Sequence, residues 1–161
     1  MERQKHINPD GSSAWITVGD GTFIGDYTTI GEGATIKDKA WVGHRATIGR
    51  GTTIGNHAYV GAHAAIGNYT YVGDYAYVGD HAYVGDWATI GDWATSREGT
   101  IAGNHTYVGD YATIGDWAWV GDWAKIGRWA KIGCWASVRE GATVEDWVTV
   151  AEGATTGKKL G

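Results

Sequence analysis

The chain has 161 residues, 27 of them Gly, with one Pro, one Phe, one Met and a single Leu, Leu160. So little Leu excludes an ordinary helical or mixed domain and points to a repeat architecture within one domain. The net charge of −5 gives no electrostatic basis for binding nucleic acid or an anionic membrane, and no apolar run is long enough to span a bilayer.

Residues 1–12 read as a polar lead-in. The opening MERQKHINPDGSS lacks the apolar core of a secretory leader, which favours a cytoplasmic location. From residue 13 to residue 156 a six-residue phrase repeats without a frame shift. Ile or Val fills 21 of the 24 positions at multiples of six from 18 to 156; Ser96, Ala102 and Thr156 are the exceptions. Two residues before each comes Ala or Thr almost without exception, from Thr22 and Thr28 to Ala154, with Val148 the largest in that run. A spacing of two puts both residues on one face of a short strand, whereas a helical stripe needs spacings of three and four. The residue after the aliphatic is Gly in 19 repeats and reads as turn punctuation.

A strand this short cannot bury anything alone. Its backbone must pair with the next layer of the same chain, which predicts a parallel β-solenoid. Phe23, Trp41 and Tyr59, in the outward position, recur every third repeat and suggest a three-sided coil of 18 residues. About eight coils at ~4.8 Å each give a prism of roughly 40 Å.

The position three after the aliphatic is a corner. It carries eight of the ten Trp, counting Trp15. With 18 residues per coil the corners align into three edges: His57, Tyr75, Trp93, Tyr111, Trp129, Trp147; then His63, His81, Gly99, Trp117, Trp135; then Tyr69, Trp87, His105, Trp123. Stacked rings would cover the turns and one another. Exposed, they would also form an interaction surface, made of Tyr75, Trp87, Trp93, Tyr111, Trp117, Trp123, Trp129, Trp135 and Trp147. His63 and His81, stacked directly, are candidate metal ligands without an evident third partner. The plainer reading makes them outward rings like Tyr and Trp. Asp74, Asp92 and Asp110 form an acidic column that could attract calcium, but a turn Asp more simply accepts nearby backbone N–H groups and fixes the bend.

Residues 96–103, SREGTIAG, keep the phase but place Ser96 and Ala102 in core positions. Either a cavity results, or a bulge turns Ile101 inward. The stretch is the expected place for a kink. Residues 157–161 form a short tail, and both tails are expected to cap the stack only loosely. Cys134 is alone, so no internal disulfide forms.

The phrase aliphatic-Gly-Asp-x-Ala/Thr-x resembles the hexapeptide repeat of left-handed parallel β-helices. That family includes acyltransferases related to the lipid A enzymes and the γ-class carbonic anhydrases. The resemblance covers residues 13–156 and implies the left-handed all-β fold. It also implies a trimer whose catalytic sites use a His between subunits, loops inserted between repeats and a C-terminal helix, or zinc held by three His. This chain has neither an inserted loop nor that His spacing.

The expectation is a non-catalytic structural solenoid without cofactor. Its partner is itself, as a trimer or an end-to-end filament, through corner rings and open coil ends. The alternative is a hexapeptide-repeat enzyme. Ice binding would need a regular Thr grid, and the outward column Thr35, Thr53, Tyr71, Thr89, Tyr107, Lys125, Thr143 lacks one. Carbohydrate binding is disfavoured because stacked rings offer their edges. The strict framing also fits an engineered or consensus scaffold, while the varied outward residues and the 96–103 interruption fit natural drift.

Overall fold

The computed structural model describes residues 1–157. Most of the C-terminal tail, residues 158–161, and the loose capping expected of it lie outside the described residues. Strand β1 (Glu2–Ile7) and strand β2 (Ser13–Val18) are six residues each. After them one two-residue strand appears in every repeat, from β3 (Phe23–Ile24) and β4 (Thr29–Ile30) to β23 (Thr143–Val144), β24 (Thr149–Val150) and β25 (Thr155–Thr156). Every third strand pairs in parallel, so the strands form three sheets, of nine, eight and eight members. Partners are 18 residues apart, as in Thr35↔Thr53 and Ile36↔Ile54. The chain is an all-β, three-sided parallel solenoid of about eight coils, as the repeat predicts.

The core follows from the alternation. Ile36, Ile54, Val72, Ile90, Val108 and Ile126 stack on one side, all fully buried. The small residue, Ala or Thr, lies just before each two-residue strand and is buried in most repeats. A buried Thr keeps its hydroxyl satisfied by a neighbouring coil, as where Thr52 Oγ1 donates to Gly67 O at 2.7 Å. The Gly after each aliphatic has a different reason from the one read in the sequence. Its φ is not in the left-handed region. A Cβ at Gly73 would instead lie 2.4 Å from Asp92 Oδ1 and 2.6 Å from Asp92 N. The coil above presses on this position, which favours Gly there, although Lys37, Arg97, Arg139, Glu145 and Ala151 carry side chains at it.

The N-terminal end departs from expectation. The polar lead-in is not loose: β1 pairs antiparallel with β2 over Glu2↔Val18 to Ile7↔Ser13. The edge of β4 is covered too. Asn8 Oδ1 accepts the Ile30 N–H at 2.8 Å, Asn8 Nδ2 donates to Ile30 O at 3.3 Å, and His6 Nε2 lies 3.1 Å from Thr28 O. One side-chain amide thus replaces a missing strand.

The 96–103 stretch does not bulge. Ile101 stays outward, 42% exposed, and pairs in register with Tyr83 below and Trp119 above. Ser96 and Ala102 are fully buried. The Ser96 and Thr100 hydroxyls bond to each other, and Thr100 Oγ1 also donates to Arg97 O at 3.0 Å. Ser96 stands where the neighbouring coils hold Val78 and Ile114, and Thr100 where they hold Ala82 and Ala118.

Candidate functional site

Among the described residues, seventeen other than Gly have left-handed backbone, with φ between 54° and 67°, and all occupy the corner position. For an L-residue this conformation costs on the order of 1–2 kcal/mol. Two interactions between coils offset it. The corner N–H donates to the turn carbonyl of the coil below, as in Trp93 N to Asp74 O at 3.0 Å. The ring then lies on the ring below, worth ~0.5–1.5 kcal/mol per pair.

The three edges form as the spacing predicts. On the first, centroid separations run His57–Tyr75 4.7 Å, Tyr75–Trp93 4.3 Å, Trp93–Tyr111 6.3 Å, Tyr111–Trp129 4.2 Å and Trp129–Trp147 5.1 Å, with planes within 5° of parallel. On the second, His63–His81 is 5.0 Å and Trp117–Trp135 is 5.8 Å. On the third, Tyr69–Trp87, Trp87–His105 and His105–Trp123 are 4.5, 6.4 and 3.9 Å. A further column, Phe23, Trp41, Tyr59 and Tyr77, stacks along one flat face. All nine rings of the expected interaction surface are exposed.

The turn carboxylates act between coils. Asp74 Oδ1 accepts the Asn56 N–H at 2.8 Å, Asp92 Oδ1 the Asp74 N–H at 2.8 Å, and Asp110 Oδ1 the Asp92 N–H at 3.0 Å. Their acceptor role matches the plainer reading, but the donor lies 18 residues away rather than in the same turn. Burial works against the Asp74 carboxylate. Hydrogen bonds from Asn56, with Lys37 and His57 nearby, still hold its pKa below the usual carboxylate value. Burial raises the Tyr71 hydroxyl pKa, and Asp92, Asp74 and Asp110 add to the effect.

The planes of His63 and His81 differ by only 6°. Imidazole lone pairs lie in the ring plane, so these run side by side and do not converge at the ~2.0–2.1 Å that zinc requires. Among the described residues no three His, Cys, Asp or Glu side chains are grouped to share a metal ion. Near the C-terminal end a groove of about 430 Å³ includes Arg97, Lys131, Cys134 and Glu152 in its lining. Cys134 Sγ lies 4.0 Å from Asp116 Oδ2.

Cation–ring contacts were missed in the sequence. Arg45 lies over Tyr27 at 5.8 Å and Arg3 over Trp15 at 5.2 Å. The first was available, because Arg45 is the corner residue 18 places after Tyr27.

No curated protein matches the chain. Among solved structures, UDP-N-acetylglucosamine O-acyltransferase from Moraxella catarrhalis is similar, with 20% identity and a TM-score of 0.67 over 84% of this chain and 66% of that one. UDP-N-acetylglucosamine acyltransferase from Campylobacter jejuni gives 18% identity and a TM-score of 0.46 over 90% and 66%. The chain therefore spans just under two thirds of the length of these proteins, and the first match speaks for the fold, the hexapeptide-repeat left-handed β-helix. The family described as the GMPPB C-terminal domain matches residues 23–118, more than half of the sequence. With the unbroken hexads and three parallel sheets, that match makes the chain a member of the GMPPB C-terminal domain family.

Proposed function

We propose that the chain is a non-catalytic structural solenoid that associates with copies of itself side by side along its ring-bearing edges. The observation that carries this reading is the set of three straight columns of exposed, parallel rings on a rigid prism. Rings held by backbone geometry lose little freedom on docking, and aromatic side chains dominate the energetics of association. End-to-end growth is the weaker form of the reading. Strand β1 already occupies one sheet edge of the first coil, and His6 and Asn8 occupy another.

Sedimentation across a wide concentration range tests it. The expected result is a concentration-dependent shift to a dimer or trimer, reduced when Trp93 and Trp129 are both changed to Asn, which tolerates left-handed backbone. A monomer at every concentration overturns the assembly. Acyl transfer to a nucleotide sugar, or carbon dioxide hydration with stoichiometric zinc, overturns the non-catalytic assignment.

A further inference from the structure

The three corner columns end alike. Trp123, Trp135 and Trp147 are the last rings of their columns and the most exposed Trp residues, at 59%, 64% and 70%. Each stacks on a ring below, His105, Trp117 and Trp129 respectively, and on no ring above among the described residues. The corner one coil above Trp123 is Gly141, and above Trp135 it is Gly153.

Of the glycine corners lower in the molecule, Gly51 and Gly99 lie beneath a corner ring, whereas Gly33, which lies beneath Gly51, meets nothing within 4 Å among the described residues. A Cβ at Gly51 would lie 2.7 Å from the Tyr69 ring, and one at Gly99 would lie 2.6 Å from the Trp117 ring. Corner rings thus lean down over the coil beneath. At Gly141 and Gly153 a Cβ would meet no atom of the described residues within 4 Å. Because residues 141 and 153 are Gly, no corner ring stands above Trp123 or Trp135. A planar gap is left, with an indole face as its floor.

The opposite end indicates what suits such a gap. There the guanidinium groups of Arg3 and Arg45 cover Trp15 and Tyr27 at 5.2 and 5.8 Å. A guanidinium is flat like the absent ring and is attracted by the electron-rich ring face. At the C-terminal side the turns that contain Gly141 and Gly153 carry Glu140 and Glu152, and neither forms an ion pair among the described residues.

We propose that the open indole faces of Trp123 and Trp135 are binding sites for a guanidinium-type planar cation, which takes the place of the missing ring. This inference does not rest on self-association. The sites are two, equivalent and weak, as exposed cation–ring contacts are.

The test is titration of the full chain with N-acetyl-arginine amide, followed through the indole N–H signals in a proton–nitrogen spectrum. The expected result is a saturable shift of the Trp123 and Trp135 signals, with Trp129, roofed by Trp147, unmoved. N-acetyl-citrulline amide, the neutral counterpart, should bind roughly fivefold more weakly. Gly153→Trp adds the missing ring without removing a contact. It should abolish the Trp135 response and leave that of Trp123. Tighter binding of a glycine-flanked arginine peptide than of guanidinium ion assigns the cation to a polypeptide, and equal binding assigns it to a free ion. The proposal is overturned if Trp129 shifts as much as Trp135, if Gly153→Trp leaves the Trp135 response intact, or if citrulline binds as well as arginine.

Discussion

The layer built on Ile54, Val60 and Ile66 and the layer built on Ile90, Ser96 and Ala102 have the same backbone and opposite interiors. The first is filled by three branched aliphatics. The second has one, together with a bonded pair of hydroxyls. Register nevertheless runs unbroken through both, as Val84↔Ala102↔Val120 and Val78↔Ser96↔Ile114 show. Frame and filling are therefore separable. The backbone ladder and the adjoining layers impose the frame, and each layer's side chains set only its own contribution to stability. The position after the core residue, Arg97 in this coil, differs in the same way. Gly precedes the turn residue at most corners, yet here an Arg side chain stands against the coil above and pairs loosely with Asp116 at 4.0 Å.

The separation can be broken most forcefully in the filled layer. Ile54→Ala should cost about 2–5 kcal/mol, read from denaturant unfolding, because a rigid layer between two others cannot collapse into the space. A loss below about 1 kcal/mol would mean that the regular layer is no better filled than the irregular one. Next comes the close approach between coils. Gly73→Ala places a methyl against the backbone of Asp92 and should cost about 1–3 kcal/mol. Arg97→Ala, at the same position in the irregular coil, should change stability by less than about 1 kcal/mol. Equal losses would show that the two corners are equally tight. The smallest effect sharpens the contrast from the other side. Ser96→Val restores the pattern, and two added carbons in a layer that holds one branched aliphatic should stabilise by about 1 kcal/mol. Destabilisation would show that the Ser96–Thr100 bond matters more than the missing apolar volume.

Much of this architecture is legible in the residues themselves. Ile and Val at every sixth place fix the inward face. The recurrence of Phe23, Trp41 and Tyr59 gives the coil length, and that length aligns Tyr75, Trp93 and Tyr111. Strand β1 was not foreseen because ERQKHI carries no hexad, and antiparallel pairing lies outside the repeat's grammar. A signal was present in Asn8-Pro9-Asp10-Gly11, a strong turn sequence joining two short runs. The carboxylate ladder was assigned to the wrong partner because a turn Asp is expected to act locally, and only stacking brings the N–H from 18 residues away within reach. The open faces of Trp123 and Trp135 depend on the downward lean of the rings, which no spacing encodes.

The cap that β1, His6 and Asn8 place on the first coil also gives the molecule a direction in time. In a stack where each layer is held by its neighbours, opening starts at a terminal layer and moves inward. The first coil has two of its three sheet edges already engaged. Opening at the first coil must therefore first release β1 and the Asn8–Ile30 bonds, and Asn8→Ala should speed exchange of the Ile30 amide proton with solvent.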